Sequence, residues 1–416
     1  MSILQIWHDE NYPQGLRGTD APLFPATRAS GLERLGRFVP RAGRDYAAGR
    51  NSDHGPDGPC AVSRLSPYLR YRLITEQEVV ASVLAHHSLT AAEKYVQEVL
   101  WRTYWKSWLE MRPAVWSRYV AARDQQRAGM VDLRALADAE AGNTGIEGFD
   151  DWARELVATG TLHNHARMWF ASIWIFTLRL PWALGADFFL RHLIDADAAS
   201  NTLSWRWVAG LQTPGRTYLA TTENIARYTG GRFAPTGLAR EAVALSEPPV
   251  AAARAVPELV PPDPVQPAVL LVTHEDLHPE TLIPRGHTIK AAIVARDPAL
   301  LWGDQARRFV AAASTDTAAR VGEHFRCGVA ITDMLDAQSL IAAAQAAGVR
   351  QIVTGFAPVG AVADRLARLV PQLASKGIIL SPIRRPWDGQ FGPYGTKGFF
   401  PFKAHIPAVL QGLGLL

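Results

Sequence analysis

TLHNHARMWFASIWIFTLRLPWALGADFFLRHLIDADAASNTLSWRWVA, residues 161–209, is too apolar and aromatic for a surface segment. It nevertheless holds Asn164, Arg167, Asp195, Asp197 and Asn201, polar groups that need partners once buried. A helical reading puts Asn164, Arg167 and Met168 on one face, at offsets of three and four. Asp195, Asp197 and Asn201 form a second cluster, with Trp205 one turn beyond. An apolar helical core with convergent amides, carboxylates and a guanidinium reads as the wall of a pocket for a large polar aromatic ligand. By periodicity alone the same Trp, Phe and Leu positions read as ordinary core.

The literal string adds more. LHNHARM followed by LIDADAASNTLSWRW resembles the flavin-binding core of the photolyase and cryptochrome family, whose pattern runs W-M-H-N-R-x-R-M and then L-[IV]-D-G-D-x-A-x-N-x-x-x-W-x-W. The resemblance implies FAD as cofactor, with Asn164, Arg167, Asp195 and Asp197 near the flavin. Asp195 is expected to meet the ring or ribityl chain, and Asn201 to face flavin N5. An amide there does not readily accept a proton from N5, which favours the reduced, deprotonated flavin. Trp205 and Trp182 match the inner two tryptophans of the family's electron-transfer chain. For a third member Trp116, Trp152, Trp169 and Trp174 stay open.

Upstream, Ser63, Arg64, Leu65 and Ser66 precede Pro67 and a helix start expected at Thr75-Glu76-Gln77-Glu78. Hydroxyls and backbone N–H groups beside a helix start suit a phosphate, though such a turn is also an ordinary cap. In the family a T-S-x-L-S turn grips the flavin diphosphate after a tyrosine; across a longer gap, Tyr46 is the candidate here. A long helix is expected over Ala91 to Arg112. Its QEVLWRTYWKSWL resembles the family's N-E-L-x-W-R-E-F-Y, which implies a lesion-binding role for Glu98 and Trp101, with Arg102 beside them on the DNA face. Asn164, Met168 and Trp207 complete that implied pocket. A flipped, damaged dinucleotide suits an aromatic face with hydrogen bonds to base edges. Asn164 and Met168 stand where the branch repairing (6-4) photoproducts has histidines, which points to cyclobutane dimers. His163, His165, Trp105 and Trp108 read as structural.

The surroundings give a domain plan. Residues 1–60, rich in Gly, Pro, Arg and Asp, read as an extended arm with a short helix near Gly31–Phe38. Their arginines (28, 34, 37, 41, 44 and 50) form either a nucleic-acid patch or a solvated face. A helical FAD-binding domain is expected over 61–240, closed by the Gly-Gly after RTYLATTENIARYT. Seven prolines over 241–267 mark an extended, semi-rigid linker. Then AVLLVT, TIKAAIVA, VAITD, QIVTGFA and GIILS alternate with helical stretches near 304–325, 337–347 and 359–375, the pattern of an open, mainly parallel α/β sheet over 268–416. VLLVTHEDLHPETL resembles the opening of the photolyase antenna domain, here placed after the flavin domain; it leaves the second, antenna chromophore unknown.

Net charge is only +4, hydrophobic residues make up 48 % and no apolar run has the ~20 uncharged residues of a membrane span. The N-terminus shows no basic region followed by an apolar block, so no signal peptide is read. Two cysteines are too few for a four-thiolate iron–sulfur cluster and suggest a reducing compartment. A cytoplasmic monomer without membrane or metal cluster is expected; the resemblance implies UV-damaged DNA as partner and leaves any signalling partner unknown. The implied activity is light-driven electron injection from reduced FAD into a flipped-out cyclobutane pyrimidine dimer; the alternative is a cryptochrome-like blue-light sensor. Three departures from the family matter: Thr161 replaces a tryptophan, Thr202-Leu203-Ser204 replaces a tighter run, and Thr177 replaces the usual carboxylate partner of Arg167. A lone buried guanidinium costs several kcal/mol, so either another carboxylate meets Arg167 or Arg167 is partly wet.

Overall fold

A computed structural model describes residues 23–416. Its first half is helical: α1 (Arg28–Phe38), α2 (Arg44–Gly49), α3 (Ser66–Arg70), α4 (Glu76–Leu84), α5 (Leu89–Glu110), α6 (Ala114–Ala128), α7 (Leu133–Ala141), α8 (Phe149–Thr159), α9 (Asn164–Ser172), α10 (Trp182–His192), α11 (Ala198–Val208) and α12 (Thr222–Tyr228). The caps follow the sequence. Thr75 and Glu78 form a reciprocal capping box at α4, Ser88 caps α5, and left-handed Gly142 and Gly160 stop α7 and α8. Between α9 and α10 the chain widens into a π-helical turn, Ile173–Thr177.

The second half alternates β1 (Ala268–Thr273), β2 (Ile289–Ala295), α13 (Asp304–Phe325), β3 (Gly328–Thr332), α14 (Ala337–Ala346), β4 (Gln351–Gly355), α15 (Ala361–Ala374) and β5 (Ile379–Ile383). Three short helices end it, α16 (Pro386–Phe391), α17 (Phe399–Lys403) and α18 (Ile406–Gly412). The sheet order is β3-β2-β1-β4-β5 and every pairing is parallel. All five expected strands are present. β1 and β4 are buried along their whole length, because both sheet faces are covered there.

Two expectations change. In the expected arm the short helix near Gly31–Phe38 is present as part of α1 and α2 follows it; Leu35, Phe38 and Tyr46 are buried members of the main core, so α1 and α2 belong to the helical unit. Residues 1–22 lie outside the described residues. The arginines of this stretch are also partly spent, Arg28 on Glu78, Arg37 on Glu33 and Arg50 on Glu98. The linker 241–267 is extended but not loose. Leu245 N–H donates to Ala209 O at 3.0 Å, Glu247 accepts from Arg206 at 2.7 Å, and Arg118, Arg254 and Arg384 bond to backbone along its course.

One apolar core runs through both halves. A second fills the far face of the sheet beneath α14 and α15. The halves are also joined by charge. Arg72 lies 2.7 Å from both oxygens of Asp388 and 3.5 Å from Asp276, and Arg385 holds Asp276 at 2.6 and 2.8 Å. Among the described residues no helix is long and apolar enough to cross a membrane, and no His, Cys, Asp and Glu cluster is placed to hold a metal.

Burial alone would raise Asp276, but Arg385 and Arg72 outweigh it and hold its pKa down at about 2. A depressed carboxylate stabilises above its unfolded pKa of about 3.9 and loses that contribution as pH falls towards the folded value. Asp276 should thus contribute about 2–3 kcal/mol that disappears between about pH 5 and pH 2. Urea titrations across that window should show a shallower pH slope in Asp276→Asn than in the wild type; equal slopes would mean that Asp276 is not the titrating group.

Candidate functional site

Three helices supply the polar cluster. α5 carries Glu98, Trp101, Arg102 and Lys106; α9 carries Asn164, Arg167 and Met168; α11 carries Asn201, Trp205 and Trp207. α11 packs against both of the others. Asp195 and Asp197 lie in the loop between α10 and α11. Asp197 caps α11, accepting from Ser200 N–H at 2.6 Å, which fixes where the loop becomes helix.

Cations surround this loop. Arg167 lies 3.3 Å from Asp195; it is the carboxylate expected in place of Thr177, whose hydroxyl instead accepts from Ala239 N–H. Arg102 is 3.4 Å from Asp197 and 4.0 Å from Asp195. Lys106 and Arg70 stand 3.8 and 3.6 Å from Asp197. Burial would push Asp197 up, but Lys106, Arg102 and Arg70 outweigh it and hold the carboxyl well below its usual range. Burial likewise pulls Lys106 down, and Asp197 and Glu275 offset only part of that. Arg102, expected on the DNA face, is therefore turned inward: two buried carboxylates claim it.

The Asn201 amide donates to Ala186 O at 2.9 Å, so its carbonyl oxygen is the end left for a ligand donor. Arg102 Nη1, Lys106 Nζ, Ser200 Oγ, Thr202 Oγ1 and Trp205 Nε1 are buried and make no hydrogen bond. Such groups cost about 1–3 kcal/mol each when left unmet. A flavin, with its ring carbonyls and nitrogens, has the acceptors this set calls for, so these residues fit FAD. Nearby, Arg64 takes a left-handed φ of 52°, rare for a non-glycine residue, and buried Leu65 anchors the same turn. Ser63 Oγ accepts from Leu65 N–H at 3.4 Å, and Ser66 opens α3. Tyr46 packs edge-on against Tyr95, which lies beside Ser63.

The residues expected on the DNA face are more scattered. Glu98 pairs with Arg50 at 3.1 Å, and burial raises its pKa although Arg50 opposes this. One face of Trp101 is stacked on Phe399 of α17, 3.7 Å between centroids at 11°. Trp207 stacks on Tyr218 at 5.7 Å. Met168 is half-buried and Asn164, at the start of α9, is exposed. His163 caps α9, and His165 stacks on Trp169 at 4.3 Å.

Trp205 is buried edge-on to Trp174, 6.2 Å away, and Trp174 Nε1 donates to Pro181 O, next to Trp182. From Trp182 ring contacts continue to Tyr119 (5.7 Å), Trp116 (5.4 Å) and half-buried Trp302 (5.7 Å). Trp116 was among the open candidates; Tyr119 and Trp302 were missed. So were Arg70, Lys106, Glu275 and Phe399. Only the basic pair inside the apolar run SPYLRYRLI could have signalled Arg70.

Residues 95–233 match the family model described as the FAD binding domain of DNA photolyase. Tyr46 and Ser63 to Ser66 lie ahead of that match. The chain is 36 % identical to a deoxyribodipyrimidine photo-lyase of Streptomyces griseus over 41 % of this chain and 36 % of that protein. With the Thermus thermophilus deoxyribodipyrimidine photo-lyase it shares 30 % identity, over 52 % of this chain and 50 % of the other. The chain thus spans between about a third and a half of these curated relatives. Among solved structures it is similar to a class III photolyase from Agrobacterium tumefaciens (26 % identity, TM-score 0.43, covering 50 % of this chain and 44 % of that one).

A Cβ added at Gly185 of α10 would lie 2.3 Å from the Trp205 ring and 2.9 Å from Trp174. Gly185→Ala should therefore lower the unfolding free energy by about 1–3 kcal/mol in urea denaturation. An unchanged midpoint would mean that Trp205 does not pack there.

Proposed function

We propose, for a chain whose residues 95–233 match the model of the FAD binding domain of DNA photolyase, a light-driven repair of cyclobutane pyrimidine dimers in DNA. The observation that carries this reading is the convergence of Arg102, Arg167, Asp195, Asp197 and Asn201 from α5, α9, α11 and one loop. Bound in reduced form, FAD supplies the blue-light absorption and the electron that splits the dimer.

The chain's own residues do the rest. Asp195 and Asp197, paired with Arg167, Arg102, Lys106 and Arg70, orient the ring and ribityl chain. Asn201 offers a neutral amide oxygen where a carboxylate would accept a proton. The turn at Ser63, Arg64, Leu65 and Ser66, backed by Tyr46, takes the diphosphate. Trp101 keeps one ring face for a base, since Phe399 covers the other, and Met168 and Trp207 flank it. The rings of Trp205, Trp174, Trp182, Tyr119, Trp116 and Trp302 give single electrons a route between the interior and the surface. The sheet of 268–416 keeps no assigned chromophore.

The test is illumination of the purified chain with reductant and an oligonucleotide carrying one defined dimer. Light-dependent loss of the dimer is expected. Trp101→Ala should keep its flavin but bind the dimer about tenfold to a hundredfold more weakly, as loss of one stacking face implies. Bound flavin with intact dimers would favour a blue-light sensor, and a chain that takes up no flavin would sink the reading.

A further inference from the structure

Glu275 follows β1 at the carboxyl end of the sheet, far in sequence from the polar cluster. Both its oxygens accept from Arg70, each at 2.9 Å, and both side chains are buried. Arg70 in turn donates through Nε to Ala196 O at 2.7 Å, the carbonyl between Asp195 and Asp197, and stands 3.6 Å from Asp197. Tyr71 adds a second anchor, its hydroxyl donating to Ile194 O at 2.7 Å, while Leu277 N–H donates to Tyr71 O at 2.9 Å. Residues 194–197 are therefore held by Arg70 and Tyr71 of the helical half, which are themselves held by Glu275 and Leu277 just past the end of β1.

The place is informative. In a sheet of order β3-β2-β1-β4-β5 the winding reverses between β1 and β4, and the crevice beyond their carboxyl ends is where open α/β sheets take their ligands. Here the helical half reaches that end. Arg70 meets Glu275, Glu110 of α5 accepts from Val359 N–H at 3.2 Å, and a Cβ on Gly360 would lie 3.5 Å from Ala198, the first residue of α11. The ligand end of the sheet grips protein.

We propose that Glu275 is a positioning residue for the flavin site: by aligning Arg70 it fixes the Asp195–Asp197 loop, so that the α/β half sets the geometry of a cofactor site it does not line. This rests on the flavin reading above. Glu275→Gln keeps the shape and removes the charge that aligns Arg70. Asp388→Asn breaks the Arg72 bond at the same interface without touching the loop.

The full-length chain, stripped of flavin, is titrated with FAD, and amide hydrogen exchange is followed over residues 193–202. In Glu275→Gln the FAD dissociation constant should rise at least tenfold, and exchange at the loop should quicken even without flavin. Asp388→Asn should lower the unfolding midpoint and leave both readouts at wild-type values. Should Glu275→Gln be insoluble, Glu275→Asp, which keeps the charge with a shorter reach, should give a smaller loss in the same direction. Wild-type affinity in a folded Glu275 variant, unchanged loop exchange, or an equal loss of affinity in Asp388→Asn would each overturn the proposal. A wild-type chain that takes up no FAD would instead overturn the flavin reading, and the proposal with it.

Discussion

Arg70 and Arg72 sit in the interior with 2 % and 3 % of their side chains exposed, where an uncompensated guanidinium costs several kcal/mol. Neither is compensated by its own helical unit alone. Arg70 needs Glu275 as well as Asp197, and Arg72 needs Asp276 and Asp388 as well as Glu76. Separating the two halves would leave both cations short of partners and would expose one continuous apolar core. The architecture is thus a single cooperative unit, although its secondary structure divides cleanly into helices and sheet.

The same requirement explains why the polar cluster keeps its shape. Asp195 and Asp197 are both buried and both lie within reach of Arg102. Arg167, Arg102, Lys106 and Arg70 make the pair tolerable, at the cost of drawing Arg102 away from the surface. A site so rich in paired charge can hold a polar ring without rearranging, which is the advantage of preorganisation over a looser pocket.

How much of this was legible in the sequence depended on the range of the interaction. Thr75 and Glu78 announce the start of α4 because a capping box is local. The five strands announce themselves because buried parallel strands are short apolar runs between turns. Arg167, Asp195 and Asn201 could be read as a cluster because helix spacing and one string of motif brought them together. Trp116 could not be joined to Trp302, nor Arg70 to Glu275, because those contacts span about half the chain and no local pattern encodes them. The inward pairing of Arg102 was hidden for the same reason. Its spacing beside Trp101 was visible, but the carboxylates that turn it inward lie on another helix's approach. The extended arm differed in another way: beyond the short helix expected near Gly31–Phe38, Gly, Pro and Arg made the stretch look irregular, while Leu35, Phe38 and Tyr46 were enough apolar surface to dock two helices.

The strapped linker 241–267 has a consequence for the order of events during synthesis. Arg70 is made 205 residues before Glu275, and the helical half leaves the ribosome while its buried cations still lack those carboxylates. Chains tend to fold their N-terminal units first as they emerge. Until β1 arrives, Arg70 and Arg72 have only Asp197 and Glu76 of the helical half as carboxylate partners. The linker then delivers the sheet from close range: its contacts to Arg206, Arg118 and Glu110 lay the connecting chain along the bundle, so docking is an intramolecular search over a short tether. Maturation of the nascent chain is timed by its last third.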